Sequence, residues 1–124
     1  LCQEVLHPLK AEKYTGDPNA EIGVCILAAI NPLKIKNDTD FKKVCNIIVR
    51  FLDNIIDIQH YAIKACENFA RNKRSLGIGI TNLAAWLASK GLNHNSKETP
   101  QEVSDFSEKM QYLTLDFFIK AGGD

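Results

Sequence analysis

The sequence predicts an α/β fold in which helices alternate with parallel strands. Two short apolar segments containing β-branched residues, Glu21–Ile30 and Ser75–Thr81, have strand character. Four other segments carry apolar residues at the three-and-four spacing of amphipathic helices. The order is therefore strand, helices, strand, helices, and strands joined through helices pair in parallel. With 124 residues, 45% apolar and 24% charged, the chain has the length and composition of one globular domain.

Residues 1–20 hold Pro8, Gly16, Pro18 and Asn19 among polar neighbours. Proline fixes φ and lacks a backbone donor, so extended backbone followed by a loop is expected there. Glu21–Ile30, Glu-Ile-Gly-Val-Cys-Ile-Leu-Ala-Ala-Ile, suits a buried strand whose backbone is closely approached at its inner glycine, and Asn31-Pro32 ends it. Asp38 or Thr39 can cap a helix whose inner face carries Phe41, Val44, Cys45, Ile48, Leu52, Ile55 and Ile56 and which runs to about Gln59. A shorter helix over Tyr61–Asn72 carries Ile63, Cys66, Phe69 and Ala70, and its basic end, Arg71, Lys73 and Arg74, complements the helix dipole. Ser75–Thr81 alternates through Leu76, Ile78 and Ile80, leaving Gly77 and Gly79 on a bare face. Asn82–Lys90, with Leu83, Trp86 and Leu87, is a compact helix stopped by Gly91. Thr99-Pro100 opens a last helix through Phe106, Met110 and Leu113 toward Lys120.

Charge excludes one class of function. Lys plus Arg and Asp plus Glu both number 15, so there is no positive excess to draw in nucleic acid or an anionic membrane. The longest apolar run, Val24–Ile30, is too short to cross a hydrocarbon layer of roughly 30 Å. No basic-then-apolar leader is present, which leads to an expected cytoplasmic location with cysteines as thiols. The start at Leu1 leads to the expectation that further polypeptide precedes it. Cys2, Cys25, Cys45 and Cys66 contain no close pair of the kind that frames a zinc site, and no metal is expected. His7, His60 and His94 stand in loops or at a helix end and are expected to be solvated. Leu76-Gly77-Ile78-Gly79 lacks the third glycine and the acidic partner of a dinucleotide fingerprint, so close strand packing is expected to explain its glycines. Lys42-Lys43 and Lys73-Arg74 are expected to be ordinary exposed charge.

The first candidate for chemistry is Cys2 with Glu4; taken bare, Cys-x-Glu recurs by chance and equally fits a half-buried cysteine beside a surface glutamate. On extended backbone, residues two apart face the same side roughly 7 Å apart, so the thiol and the carboxylate look into one space. A neighbouring carboxylate raises a thiol pKa, whereas a nucleophilic cysteine is stabilised as thiolate by cations or a helix N-terminus. Cys2 thus suits hydrogen-atom exchange as a neutral thiol, with Glu4 free to act as a base on a bound hydroxyl. Cys25, in the apolar strand beside Gly23, is open to two readings: core packing, or a redox thiol if it shares a cavity with Cys2. Cys45 and Cys66 are expected to pack on apolar helix faces. A hydrolase built on Cys2 and His7 would need a third, orienting group that the sequence does not identify.

Leu1-Cys2-Gln3-Glu4-Val5, Ala20-Glu21-Ile22-Gly23-Val24-Cys25, Arg50-Phe51-Leu52-Asp53 with Ile56-Asp57, and Arg74-Ser75-Leu76-Gly77-Ile78-Gly79-Ile80 occur in this order along the chain. In that combination residues 1–112 resemble the large subunit of class I ribonucleoside-diphosphate reductase. The loop Tyr14-Thr15-Gly16-Asp17-Pro18-Asn19 is most similar to the versions carried by tailed bacteriophages. The resemblance implies part of a ten-stranded α/β barrel. Residues 1–20 would leave a finger loop, 21–112 would supply strands and helices, and 113–124 would form a divergent tail. It also implies that Cys2 becomes a thiyl radical that takes the hydrogen from the ribose 3′ carbon, and that Glu4 accepts the 3′ hydroxyl proton. Cys25 would be half of the dithiol that closes to a disulfide at each turnover. No cofactor would be bound by this chain: a metal-containing small subunit would supply the radical, and thioredoxin or glutaredoxin the reducing equivalents. The remaining partners implied are the other segments of the large subunit and the ribonucleoside diphosphate substrate, with no nucleic acid and no membrane.

The family's asparagine before the Leu-Cys-x-Glu motif would precede Leu1, and its second redox cysteine, radical-relay tyrosines, phosphate loop and C-terminal cysteine pair have no counterpart in the chain. Ala62 stands where a proline usually follows the tyrosine, and from Leu113 the text departs from the family's helix. With half of the site elsewhere, the isolated chain is expected to be inactive, a natural split or truncated piece of the subunit. The alternative is a non-catalytic relic or assembly module that packs against other subunit segments.

Overall fold

The computed structural model describes residues 5–121. Its elements are β1 (Ile26–Ile30), a short 3-10 turn (Pro32–Lys34), α1 (Asp38–Ile58), α2 (Lys64–Lys73), β2 (Leu76–Ile80), α3 (Leu83–Ser89) and α4 (Thr99–Ala121). β1 and β2 form a two-stranded sheet. The Ile26 N–H donates to the Ser75 carbonyl at 3.2 Å, and the Thr81 N–H donates to the Ile30 carbonyl at 3.0 Å, so the strands run in the same direction. This is the mixed helix and strand architecture with parallel pairing that the sequence predicts. A closed ten-stranded barrel is not present among the described residues.

The described residues group into two compact units, one from residues up to Leu27 together with Leu52–Gly77, the other from Ala28–Phe51 together with residue 78 onward. In the first unit, Phe69, Leu52 and Ile56 are fully buried with Ala20, Ala65 and Ala70. The loop that enters it is built by its polar residues. Gly16, at φ 79, makes the turn that lets the Asp17 N–H reach the Tyr14 carbonyl at 3.0 Å, a backbone that a residue with a Cβ adopts poorly. The Asp17 carboxylate accepts from the Asn19 and Lys13 N–H groups at 2.9 and 3.3 Å, and these bonds hold its pKa below the ordinary value.

The first strand is shorter than the sequence predicts. Ahead of Ile26 the backbone finds other partners: Glu21 exchanges a pair of hydrogen bonds with Lys10, and the Ile22 N–H donates to the Ala65 carbonyl at 3.1 Å. The close approach expected at Gly23 is present, since a Cβ there would lie 3.0 Å from Leu9 Cδ2 and 3.1 Å from His7 Cδ2. α2 starts at Lys64 rather than Tyr61. Ile63 is extended, and the Tyr61 hydroxyl donates back to the Ile56 carbonyl at 3.0 Å.

In the second unit, Ile30, Phe41, Cys45 and Leu113 form the buried centre, packed by Val44, Ile48, Ile78, Phe106, Met110 and Phe117. Phe41 and Phe106 stack at 4.8 Å between ring centres, and Trp86 tilts against Phe106 at 5.1 Å. The cap of α1 is Asn37, one residue before the expected Asp38: its side chain accepts from the Asp40 N–H at 2.9 Å. Asn31-Pro32 does more than end β1, because the Asn31 side chain accepts from the Leu33 N–H at 3.1 Å and caps the 3-10 turn. Gly91, at φ 74, closes α3 as expected. α4 passes Leu113 without a break, so the expected departure at that residue is not a structural boundary. No described helix is long and apolar enough to cross a membrane.

Phe69 is the largest fully buried side chain, whereas Ile58 is 80% exposed. Phe69→Ala is expected to cost about 3–5 kcal/mol in urea denaturation, and Ile58→Ala to stay within about 0.5 kcal/mol of the parent.

Candidate functional site

Cys2 and Glu4 lie outside the described residues. Cys25, the third predicted site residue, is the last residue before β1 and carries an exposed free thiol. It stands at the mouth of the strand and not within it, and core packing does not describe it. The period-two alternation explains this: in β1, Leu27 and Ala29 also face out, while Ile30 is buried. Two local contacts fix the thiol's position. Upstream, Gly23 sits beneath Leu9 and His7, and the His7 ring meets Phe69 edge-on at 4.8 Å. Downstream, the Ile26 N–H binds the Ser75 carbonyl.

The other thiols have different surroundings. Cys45 is fully buried, and desolvation pushes its thiol up to about 11, so it stays protonated and acts as a small apolar side chain. Cys66 is partly buried on α2. His60 and His94 are exposed, as expected, whereas His7 is partly buried by its contact with Phe69. Gly77 and Gly79 lie in the body of β2 and not at a strand-to-helix turn. A Cβ at Gly77 would meet Leu27 Cδ2 at 2.5 Å, which is the close strand packing the sequence predicts. Among the described residues, no group of three or more His, Cys, Asp and Glu side chains could hold a metal ion.

The expectation that Arg74 is ordinary exposed charge is overturned. Its side chain is 29% exposed and forks between two aspartates of α1. Nε donates to Asp53 Oδ1 at 2.6 Å and Nη2 to the Asp53 carbonyl at 2.9 Å, while Nη1 and Nη2 reach the two Asp57 oxygens at 3.0 Å each. Arg71 adds a second cation 3.6 Å from Asp57 and is held by Glu67 at 2.9 Å. Hydrogen bonds from Arg74 hold the Asp57 carboxyl below its ordinary value, and the same contacts raise the guanidinium pKa. Asp53 and Asp57 are one helical turn apart and share a face, a spacing visible in the sequence that marks a two-point anchor for one guanidinium.

A groove of about 430 Å³ in the second unit runs past Phe41, Trp86 and Phe106. Two of its three lysines are committed: Lys90 pairs with Glu102 and covers the Trp86 ring at 4.5 Å, and Lys109 pairs with Asp38.

Residues 1–120 match the family described as ribonucleotide reductase, barrel domain. The chain belongs to that family. The match extends past Leu113, where the resemblance was expected to end. Among curated relatives, the ribonucleoside-diphosphate reductase subunit alpha of Buchnera aphidicola subsp. Acyrthosiphon pisum is 37% identical over 116 residues, covering 94% of this chain and 15% of the relative. The protein of the same name from Enterobacteria phage T4 is 34% identical over 123 residues, covering 97% of the chain and 15% of its own length. That from Haemophilus influenzae is 34% identical over 115 residues, covering 93% and 15%. The chain therefore spans about 15% of the length of the curated relatives it matches.

The lowered Asp57 pKa gives a pH dependence with a definite sign. A carboxylate whose pKa is lower in the folded than in the unfolded chain stabilises the fold above its unfolded value, and that contribution is lost as pH falls through the folded value. Asp57's ordinary value is 3.8, so its contribution is intact above that pH and disappears on acidification below it. Thermal melts from about pH 2 to 6 should show a shallower acid slope in Asp57→Asn than in the parent.

Proposed function

We propose that the chain forms part of the catalytic barrel of a ribonucleoside-diphosphate reductase large subunit, which converts ribonucleoside diphosphates to 2′-deoxyribonucleoside diphosphates for DNA synthesis. The observation that carries this reading is the family match over residues 1–120, which takes in the Leu1–Val5 motif and Cys25 together. In this reading the strand pair belongs to a ten-stranded barrel, and residues 1–20 lead out of its finger loop.

Cys2 acts on the sugar as a thiyl radical: an S–H bond forms as the 3′ C–H bond breaks. Glu4 accepts the 3′ hydroxyl proton, and the 2′ hydroxyl leaves as water. Two electrons come from a dithiol in which Cys25 is one member and the other lies on polypeptide outside this chain. The balance is one ribonucleotide and one dithiol consumed for one deoxyribonucleotide, one disulfide and one water. The hydrogen held on Cys2 returns to the 3′ carbon and restores the radical.

The exposure of Cys25 supports its role, since a thiol that must meet a partner sulfur and then a reductant cannot be enclosed. The contrast with Cys45, buried and raised to about 11, points the same way. The radical is supplied by a metal-containing small subunit and the reducing equivalents by thioredoxin or glutaredoxin, in the cytoplasm or in a host's cytoplasm if a phage encodes the chain. By itself the chain is inactive.

Reconstitution tests this. The chain is combined with the remaining large-subunit polypeptides, a radical-generating small subunit and a reductant, and deoxyribonucleotide formation is followed. Cys2→Ala is expected to fall to background and Glu4→Gln to lose most of the rate. Undiminished product formation by Cys2→Ala would overturn the reading.

A further inference from the structure

Arg74 adopts left-handed backbone, φ 47 and ψ 49, and its N–H caps α2 by donating to the Ala70 carbonyl at 2.9 Å. A residue with a Cβ is disfavoured there, and Asn or Gly would be the usual occupant. From this position the guanidinium reaches both oxygens of Asp57, one oxygen of Asp53 and the Asp53 carbonyl. The next residue is Ser75, and its carbonyl receives the N–H of Ile26, the residue after Cys25. A short path of covalent and hydrogen bonds thus leads from the aspartates of α1 to the backbone that carries the thiol.

β2 reads Leu-Gly-Ile-Gly-Ile, and its middle is pinned by packing, with Leu27 pressed over Gly77 and Ile78 against the second unit's core. A slip of one residue turns the side chains of the slipping strand to the opposite face, and it would remove the Ser75 carbonyl from the N–H of Ile26, the residue after Cys25. At the Cys25 end, a bidentate guanidinium one residue before Ser75 adds a second anchor that opposes such a slip directly.

We propose that Arg74 is a positioning residue for Cys25, its fork onto Asp53 and Asp57 setting the register at Ser75 and hence the direction in which the thiol leaves the sheet. The functional weight of this placement rests on the reading of Cys25 as a redox thiol; the placement itself is measurable without turnover.

The test uses the full chain. Arg74→Gly keeps the left-handed backbone and removes the fork, Arg74→Lys keeps the charge without the fork, and Asp57→Asn leaves the Arg74 backbone untouched. Amide hydrogen exchange is read at Ile26, bonded to Ser75, and at Ile22, bonded to Ala65, as the internal reference. A trifluoromethyl tag on Cys25, assigned by the loss of its signal in Cys25→Ser, reports the orientation of the thiol.

Arg74→Gly is expected to speed exchange at Ile26 by roughly tenfold or more while Ile22 stays within about twofold, and to split the single tag resonance. Arg74→Lys should restore part of the protection. Asp57→Asn should show the same pattern more weakly, and it decides the matter if Arg74→Gly does not fold. Equal acceleration at Ile22 and Ile26 would mean a merely structural clamp and would overturn the proposal, as would unchanged exchange with one tag resonance. A failure of the redox reading shows elsewhere, as undiminished turnover by Cys25→Ser in the reconstituted assembly.

Discussion

One guanidinium organises the unit that carries the exposed thiol. Arg74 sits in left-handed backbone, which costs a residue with a Cβ about 1–2 kcal/mol, and it stays there because its side chain closes on Asp53 and Asp57. α2 can end, the chain can reverse and β2 can start at one point because the charge that would otherwise fray that corner is tied to the preceding helix. Charge-assisted bonds of this kind are short and directional, so they fix an angle as well as a distance.

The consequence appears at Cys25. The Ile26 N–H donates to the carbonyl of Ser75, the residue next to Arg74, while Gly23 is pressed under Leu9 and His7, whose ring rests on Phe69. The thiol is held from both sides without being covered. Cys45 shows what burial does to the same side chain: its thiol is pushed up to about 11 and serves packing alone. Environment, and not residue type, separates the exposed cysteine from the one that serves the core.

Much of this was legible beforehand, for identifiable reasons. α1, α3 and α4 follow from apolar periodicity with nearby polar caps or a stopping glycine, all of which are local signals. β2 follows from its alternation. The front half of the predicted first strand was not legible, because residues 21 and 22 are held by Lys10 and Ala65, partners that no local window contains. The exposure of Cys25 had a signal that could have been used: Val24, Ile26 and Ile30 share one parity, and Cys25, Leu27 and Ala29 the other. In the sequence, Arg74 suggests only its own helix end, where a cation complements the dipole, while its real partners are one turn apart on an earlier helix. Cys2 and Glu4 stand out through their spacing and the motif around them, and the roles proposed for them rest on the family resemblance.

In the proposed function, Cys25 gives up electrons when a ribonucleotide is reduced. The most direct measurement is a single turnover in the reconstituted assembly with no external reductant, followed by mass-spectrometric mapping of the cysteines. Cys25 is expected in a disulfide with a cysteine of the companion polypeptide, in an amount equal to the deoxyribonucleotide formed. Product formed while Cys25 stays a free thiol would contradict it.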